Sequence, residues 1–120
     1  MTLSEAMRLG AMLKPQGFGI WRRNEASCAM DAVVDGSGAT WEMLSQQFPI
    51  LKIGQLRCPV CQSWNTNVGS VIMHLNDHHR WTRERIADWI EAEFEHDKLA
   101  PAAARELDSE PAEVLETVEV

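Results

Sequence analysis

A chain of 120 residues, 45% hydrophobic with five tryptophans, has apolar side chain for one modest core and little more. Its formal charge of −7 is uneven: residues 97–120 hold seven acids against two bases, leaving −2 on residues 1–96, so acidity alone does not exclude a nucleic-acid partner there. No apolar run reaches the roughly 18 residues of a membrane span, and the first residues lack the basic start and apolar stretch of a signal peptide. Three cysteines, with a single C-x2-C pair, fit metal binding in a reducing compartment better than a disulfide scaffold. A cytoplasmic location is expected.

Thr2-Leu3-Ser4-Glu5 reads as a capping box, with Thr2 as N-cap and Glu5 reaching back. Leu3, Ala6, Met7, Gly10 and Leu13 follow at helical spacing, and Pro15 and Gly17 end the run. Met7 and Met12 are packing residues on this reading rather than a cofactor stripe. Phe18, Ile20 and Trp21 form an apolar connector, and Arg22-Arg23-Asn24-Glu25 a polar turn. Ser27 is placed to cap a second helix from Cys28 to Asp35, closed by Gly36. Small residues at Cys28, Ala29, Ala32 and Val33 allow it close to the first helix, and Cys28 reads as a small buried hydrophobe rather than a reactive thiol. Gly36-Ser37-Gly38 lacks the lysine and preceding strand of a phosphate loop and reads as a turn.

Thr40 is placed to cap a third helix from Trp41 to about Gln47, stopped by Pro49. Residues 50–53 and 55–57 then look extended around Gly54, the second run entering a knuckle at Cys58-Pro59-Val60-Cys61. Residues 63–67 supply the return arm of a small hairpin. Residues 68–79 read as a helix with Val71, Ile72 and Leu75 inward, carrying His74 and His78 four apart on one face. Cys58, Cys61, His74 and His78 therefore form a two-Cys, two-His set with C-x2-C, x12, H-x3-H spacing, the usual closed tetrahedral zinc site. His79 is the alternative fourth ligand, since both histidine spacings are compatible with such a site. Asp77 is either a carboxylate orienting an imidazole or a solvated helix residue.

Thr82 caps a last helix, Arg83 to about His96, with Trp81 and Ile86 in a hydrophobic-staple arrangement. Ile86, Trp89, Ile90 and Phe94 make its apolar stripe, while Glu84, Asp88, Glu91, Glu95 and Asp97 face away, and His96 complements the helix dipole. Beyond Lys98 the composition turns to Ala, Glu and Pro, as in a mobile acidic tail. Leu107, Val114, Leu115 and Val118 could form a short helix there on a partner. The expected architecture is mainly α. A helical N-terminal hairpin (1–49) precedes a C2H2-like ββα zinc module followed by an amphipathic helix (50–97), with the acidic tail at 98–120.

The run from His74 to Trp89, HLNDHHRWTRERIADW, resembles a segment of small uncharacterised proteins of bacteria and their phages. Ala6 to Ala11 and Cys28 to Ala32 look like the front of the same group, which implies a phage or bacterial origin and no activity. A weaker likeness, through His74, Leu75, His78, His79, Thr82, Glu84 and Trp89, is to Ros/MucR-type prokaryotic zinc-finger regulators. That resemblance implies a DNA-binding finger with Cys58, Cys61, His74 and His78 as ligands.

A closed two-Cys, two-His site has no open coordination position for activating water. His-Glu-x-x-His, a nucleophile elbow and the His-x-Glu-before-cysteines order of a deaminase are all missing from the chain. The expected role is a non-enzymatic, zinc-stabilised adaptor or regulator acting through protein contacts. The alternative is DNA binding through Arg57, Arg80, Arg83 and Arg85, and a zinc-dependent hydrolase stands third.

Overall fold

Thr2 starts the first helix, α1 (Leu3–Ala11), with the expected capping box: its hydroxyl accepts from Glu5 N–H and Glu5 accepts from Thr2 N–H at 2.8 Å. The computed structural model describes residues 1–19 and 26–95; the expectations for Ile20, Trp21, the Arg22–Glu25 turn, His96 and the acidic tail fall outside them. Over the described residues the protein is mainly helical, with one two-stranded antiparallel sheet. Among those residues, no helix is long and apolar enough to cross a membrane.

The second helix, α2 (Ala29–Ser37), starts one residue later than expected. Cys28, not Ser27, is its N-cap, with Sγ 3.5 Å from Asp31 N–H. It also runs through Gly36 to a left-handed cap at Gly38, where φ is +77°. Gly36 stays helical because α1 needs the space: a Cβ there would lie 1.9 Å from Ala6 O, and one on Gly10 would lie 1.8 Å from Ala32 O. Each helix thus offers a glycine to the other's backbone, and Leu3, Ala6, Met7, Ala29, Ala32 and Val33 close into a dry core around the crossing.

Thr40 makes no side-chain cap, and the third helix splits into a 3-10 turn (Trp41–Met43) and α3 (Leu44–Gln47). Residues 50–53, expected to be extended, sit mostly in a second 3-10 turn, Pro49–Lys52. Proline fixes the first φ of that turn, and Phe48 and Leu51, three apart, are both buried on its inner side. Local burial overrides the β-branched Ile50 and Ile53.

Strands β1 (Gly54–Arg57) and β2 (Trp64–Asn67) pair antiparallel, with Leu56 opposite Asn65 and Arg57 opposite Trp64. Asn67 ends β2 and caps α4 (Val68–Asp77), its side-chain Oδ1 accepting from Ser70 N–H at 2.8 Å. Val68, Val71, Ile72 and Leu75 are fully buried. The last helix, α5 (Arg83–Ile90), is capped by Thr82 Oγ1, which accepts from Arg85 N–H at 3.0 Å, and buries Ile86, Ala87 and Ile90.

Met1–Ile90 forms one compact unit, so position 49 falls inside it, and residues 91–95 are described separately from that unit. There the expected α-helix becomes a π turn, Glu91–Glu95. The wider turn rotates the side chains that follow, and Glu95, expected to face solvent, is buried.

Two polar groups tie the early elements to the later ones. Asn76 is fully buried on α4: its oxygen accepts from Gln16 Nε2 (2.8 Å) and Ala29 N–H (3.1 Å), and its amide donates to Gly17 O (3.0 Å) and Asp77 Oδ1 (2.7 Å). Arg83 is only 5% exposed; Nη1 donates to Ser27 Oγ at 2.7 Å and Nη2 to Ala11 O at 3.2 Å. Both lie along the short parallel bridge between Gln16 and Ser27.

Candidate metal centre

The hairpin and α4 converge on one cluster. β1 leads directly into Cys58, whose N–H donates to Ser63 O at 2.9 Å and whose carbonyl accepts from Gln62 N–H at 3.0 Å. Gln62 adopts φ +66° to close this knuckle. Cys58 is fully buried, while Cys61 is exposed, with its sulfur 3.2 Å from Ser63 Oγ and 3.3 Å from His74 Nε2. The Cys61 thiol is drawn down to about 5, first by the Ser63 hydroxyl and N–H and then by His74 and His79. It is therefore a thiolate at neutral pH, the form in which sulfur binds metal.

Val71 and Leu75 fix the rotation of α4 from beneath and so point His74 at the knuckle. The structure brings His79, the alternative fourth ligand, into the group: donor atoms of Cys58, Cys61, His74 and His79 all lie within 4.8 Å of one another. These four residues are close enough to hold a metal ion. His79 Nε2 stands 3.1 Å from His74 Nε2. His78, the first-choice ligand, lies outside the group and is exposed, although its ring centroid is 4.7 Å from that of His74.

The helix end explains the exchange. His78 keeps the regular helical bond, its N–H to His74 O at 2.9 Å, so its ring stands over His74 outside the donor group, and the departure comes in the residues after it. His79 N–H reaches five residues back to His74 O at 3.4 Å, Trp81 N–H reaches six back to Leu75 O at 3.0 Å, and Arg80 takes φ +53°. This widened last turn swings the His79 ring back over the knuckle.

Asp77 accepts from Gly19 N–H at 2.8 Å and from Asn76, so the bonds described for it lead to the loop after α1 and not to an imidazole. The sequence reading passed over Asn76. The signal was a polar residue four after Ile72, on the inward stripe of α4.

The four arginines do not form one free cationic face. Arg83 is buried, and desolvation lowers its pKa. The Arg80 guanidinium lies 4.6 Å from the Phe18 ring centre, Arg85 3.9 Å from Trp81, and Arg57 4.3 Å from Trp64. No family model matches the chain, and neither a curated protein nor a solved structure does.

Proposed function

We propose that the protein is a non-enzymatic, zinc-stabilised interaction module, an adaptor or regulator of phage or bacterial origin that acts by contact. The observation that carries this reading is the donor set itself: two sulfurs and two imidazole nitrogens at the meeting point of a hairpin and a helix. Soft thiolates with imidazoles select zinc among common divalent ions. Tetrahedral zinc would hold its nitrogens about 3.3 Å apart and a sulfur–nitrogen pair about 3.5 Å apart. The separations of 3.1 Å (His74 to His79) and 3.3 Å (Cys61 to His74) agree with both. On this reading β1, β2 and α4 form a two-Cys, two-His finger, and four protein ligands leave no coordination position for substrate. Zinc would cross-link hairpin to helix and make their surface rigid.

Protein contact is supported by the end of α1, where Leu9, Met12 and Leu13 are 44%, 79% and 62% exposed. Adjacent apolar side chains left in water mark an association surface. The test has two parts. Purified full chain should contain one zinc, and Cys58→Ser should lose it. A partner recovered on the zinc-loaded chain should be lost with Met12→Asp plus Leu13→Asp. A metal-free chain with an intact hairpin would end the zinc reading. The second reading, a DNA-binding regulator of Ros/MucR-like type, keeps support from Arg57, Arg80 and Arg85, which remain exposed. It loses Arg83 to the core.

A further inference from the structure

The outward face of the β1–β2 hairpin carries an exposed aromatic ring beside a cation. Register pairs Arg57 with Trp64 on one side of the sheet, and both are exposed, as are Gln55 and Thr66 on the same two strands. The other side carries Leu56, Asn65 and Asn67, each half-buried. Trp64 is 63% exposed although the Arg57 guanidinium covers one face of its indole at 4.3 Å. Its second face is therefore open to water. Arg57 is held in that position by its bond to Gln62 O at 3.3 Å, on the knuckle between the cysteines. Beside the indole a depression of about 230 Å³ is lined by Gln55, Trp64, Asn65 and Thr66. Its walls are a flat ring, two carboxamides and a hydroxyl, with no carboxylate.

Charge narrows the occupant. From Lys52 to Asn67 the chain has two bases, Lys52 and Arg57, and no acid, although the whole chain carries −7. Lys52, just before β1, is exposed. The face is thus complementary to an anion that also presents planar rings edged with hydrogen-bonding groups. Unpaired nucleotides have that chemistry; a duplex hides its ring faces by stacking.

We infer that the outward face of the β1–β2 hairpin is a binding site for single-stranded nucleic acid, one unpaired base stacking on the open face of Trp64 while Arg57 meets a neighbouring phosphate. This rests on the interaction-module reading, because the cysteine knuckle must hold the hairpin in shape. It does not rest on the α1 surface. The Gln55 carboxamide and the Thr66 hydroxyl can each meet the edge of any base, so recognition is tolerant of sequence.

The test is fluorescence anisotropy of labelled 12-mer single-stranded DNA and RNA with the full chain. Zinc content and thermal unfolding are measured on every preparation. Single strands should bind more tightly than a duplex of equal length, with affinity falling as salt rises. Trp64→Leu should lose about tenfold or more in affinity, Trp64→Phe should stay within a few-fold of the original, and Arg57→Gln should weaken binding and flatten the salt dependence. All three variants should keep their zinc. Equal binding by Trp64→Leu, a preference for duplex, no binding by zinc-loaded chain, or equal competition by polyglutamate at matched charge would each overturn the inference. The last outcome would assign the face to acidic protein segments. Absence of zinc from the original chain would instead overturn the module reading beneath it.

Discussion

His79 Nε2 lies 3.1 Å from His74 Nε2, although the two residues are five apart and α4 ends between them. Two imidazole nitrogens that close are either hydrogen-bonded or share an ion, and the Cys61 sulfur 3.3 Å from the same nitrogen of His74 favours a shared ion. A separation of the roles of His78 and His79 follows. His79→Ala should weaken zinc binding by at least about a hundredfold, since changing even an outer-shell partner of a ligand costs about 10- to 100-fold. His78→Ala should leave stoichiometry and affinity within a few-fold of the original. Competition with a chromophoric chelator measures both, and equal losses in the two variants would contradict the assignment.

Arg83 answers a different question. Its guanidinium spans Ser27, Ala11 and the start of α5 from a buried position, so truncation strands several polar groups at once. Arg83→Met should cost about 3 kcal/mol of folding stability. Arg83→Lys should recover only part of that, because an ammonium cannot reproduce the planar fork. Urea denaturation gives the values. A neutral result with Arg83→Met, joined to a loss of DNA retention, would return Arg83 to the nucleic-acid face.

The α1–α2 crossing is equally specific. A methyl on Gly10 or Gly36 would stand within 2 Å of a carbonyl of the facing helix, where neither partner is a movable side chain. Gly36→Ala should therefore destabilise the fold by roughly 3 kcal/mol or more, against the mild gain alanine usually brings inside a helix. The same change at Gly38, where φ is +77° and no atom is near, should cost about 1 kcal/mol through backbone strain alone. Thermal unfolding of the two variants separates close packing from capping.

Chemistry that repeats in sequence was legible. The Thr2–Glu5 capping box, the small residues of α2, the cysteine knuckle, the hairpin arms and the inward stripe of α4 all follow from spacing and residue type. The choice between His78 and His79 was not, because it depends on how α4 unwinds at Arg80, one residue beyond the pattern that identified the ligands. The 3-10 turn at Pro49–Lys52 was hidden for another reason. Ile50 and Ile53 favour a strand locally, and only the burial of Phe48 and Leu51 reverses the preference. Arg83 and Asn76 show a third limit. A polar residue on an apolar stripe announces itself in sequence, but its partners at Ser27, Ala29 and Gln16 are 47 to 60 positions away.

Cys28 supplies the pH dependence. It is 2% exposed, and burial pushes its thiol up from about 9 to about 11, the Asp31 carboxylate adding to the effect. The folded chain thus keeps a proton on Cys28 that the unfolded chain gives up above pH 9. By linkage, the contribution to stability is full below about pH 9 and is lost as pH rises through about 11. The other two cysteines are common to both chains, so the measurement is a difference. Urea midpoints of the original chain and Cys28→Ala, at pH 8 and pH 10.5, should show the original losing more over that interval. In the native state at pH 8, Cys28 should also resist iodoacetamide after unfolded chain has reacted fully. Parallel midpoints, or rapid native labelling of Cys28, would show that the thiol is not held in the dry crossing of α1 and α2.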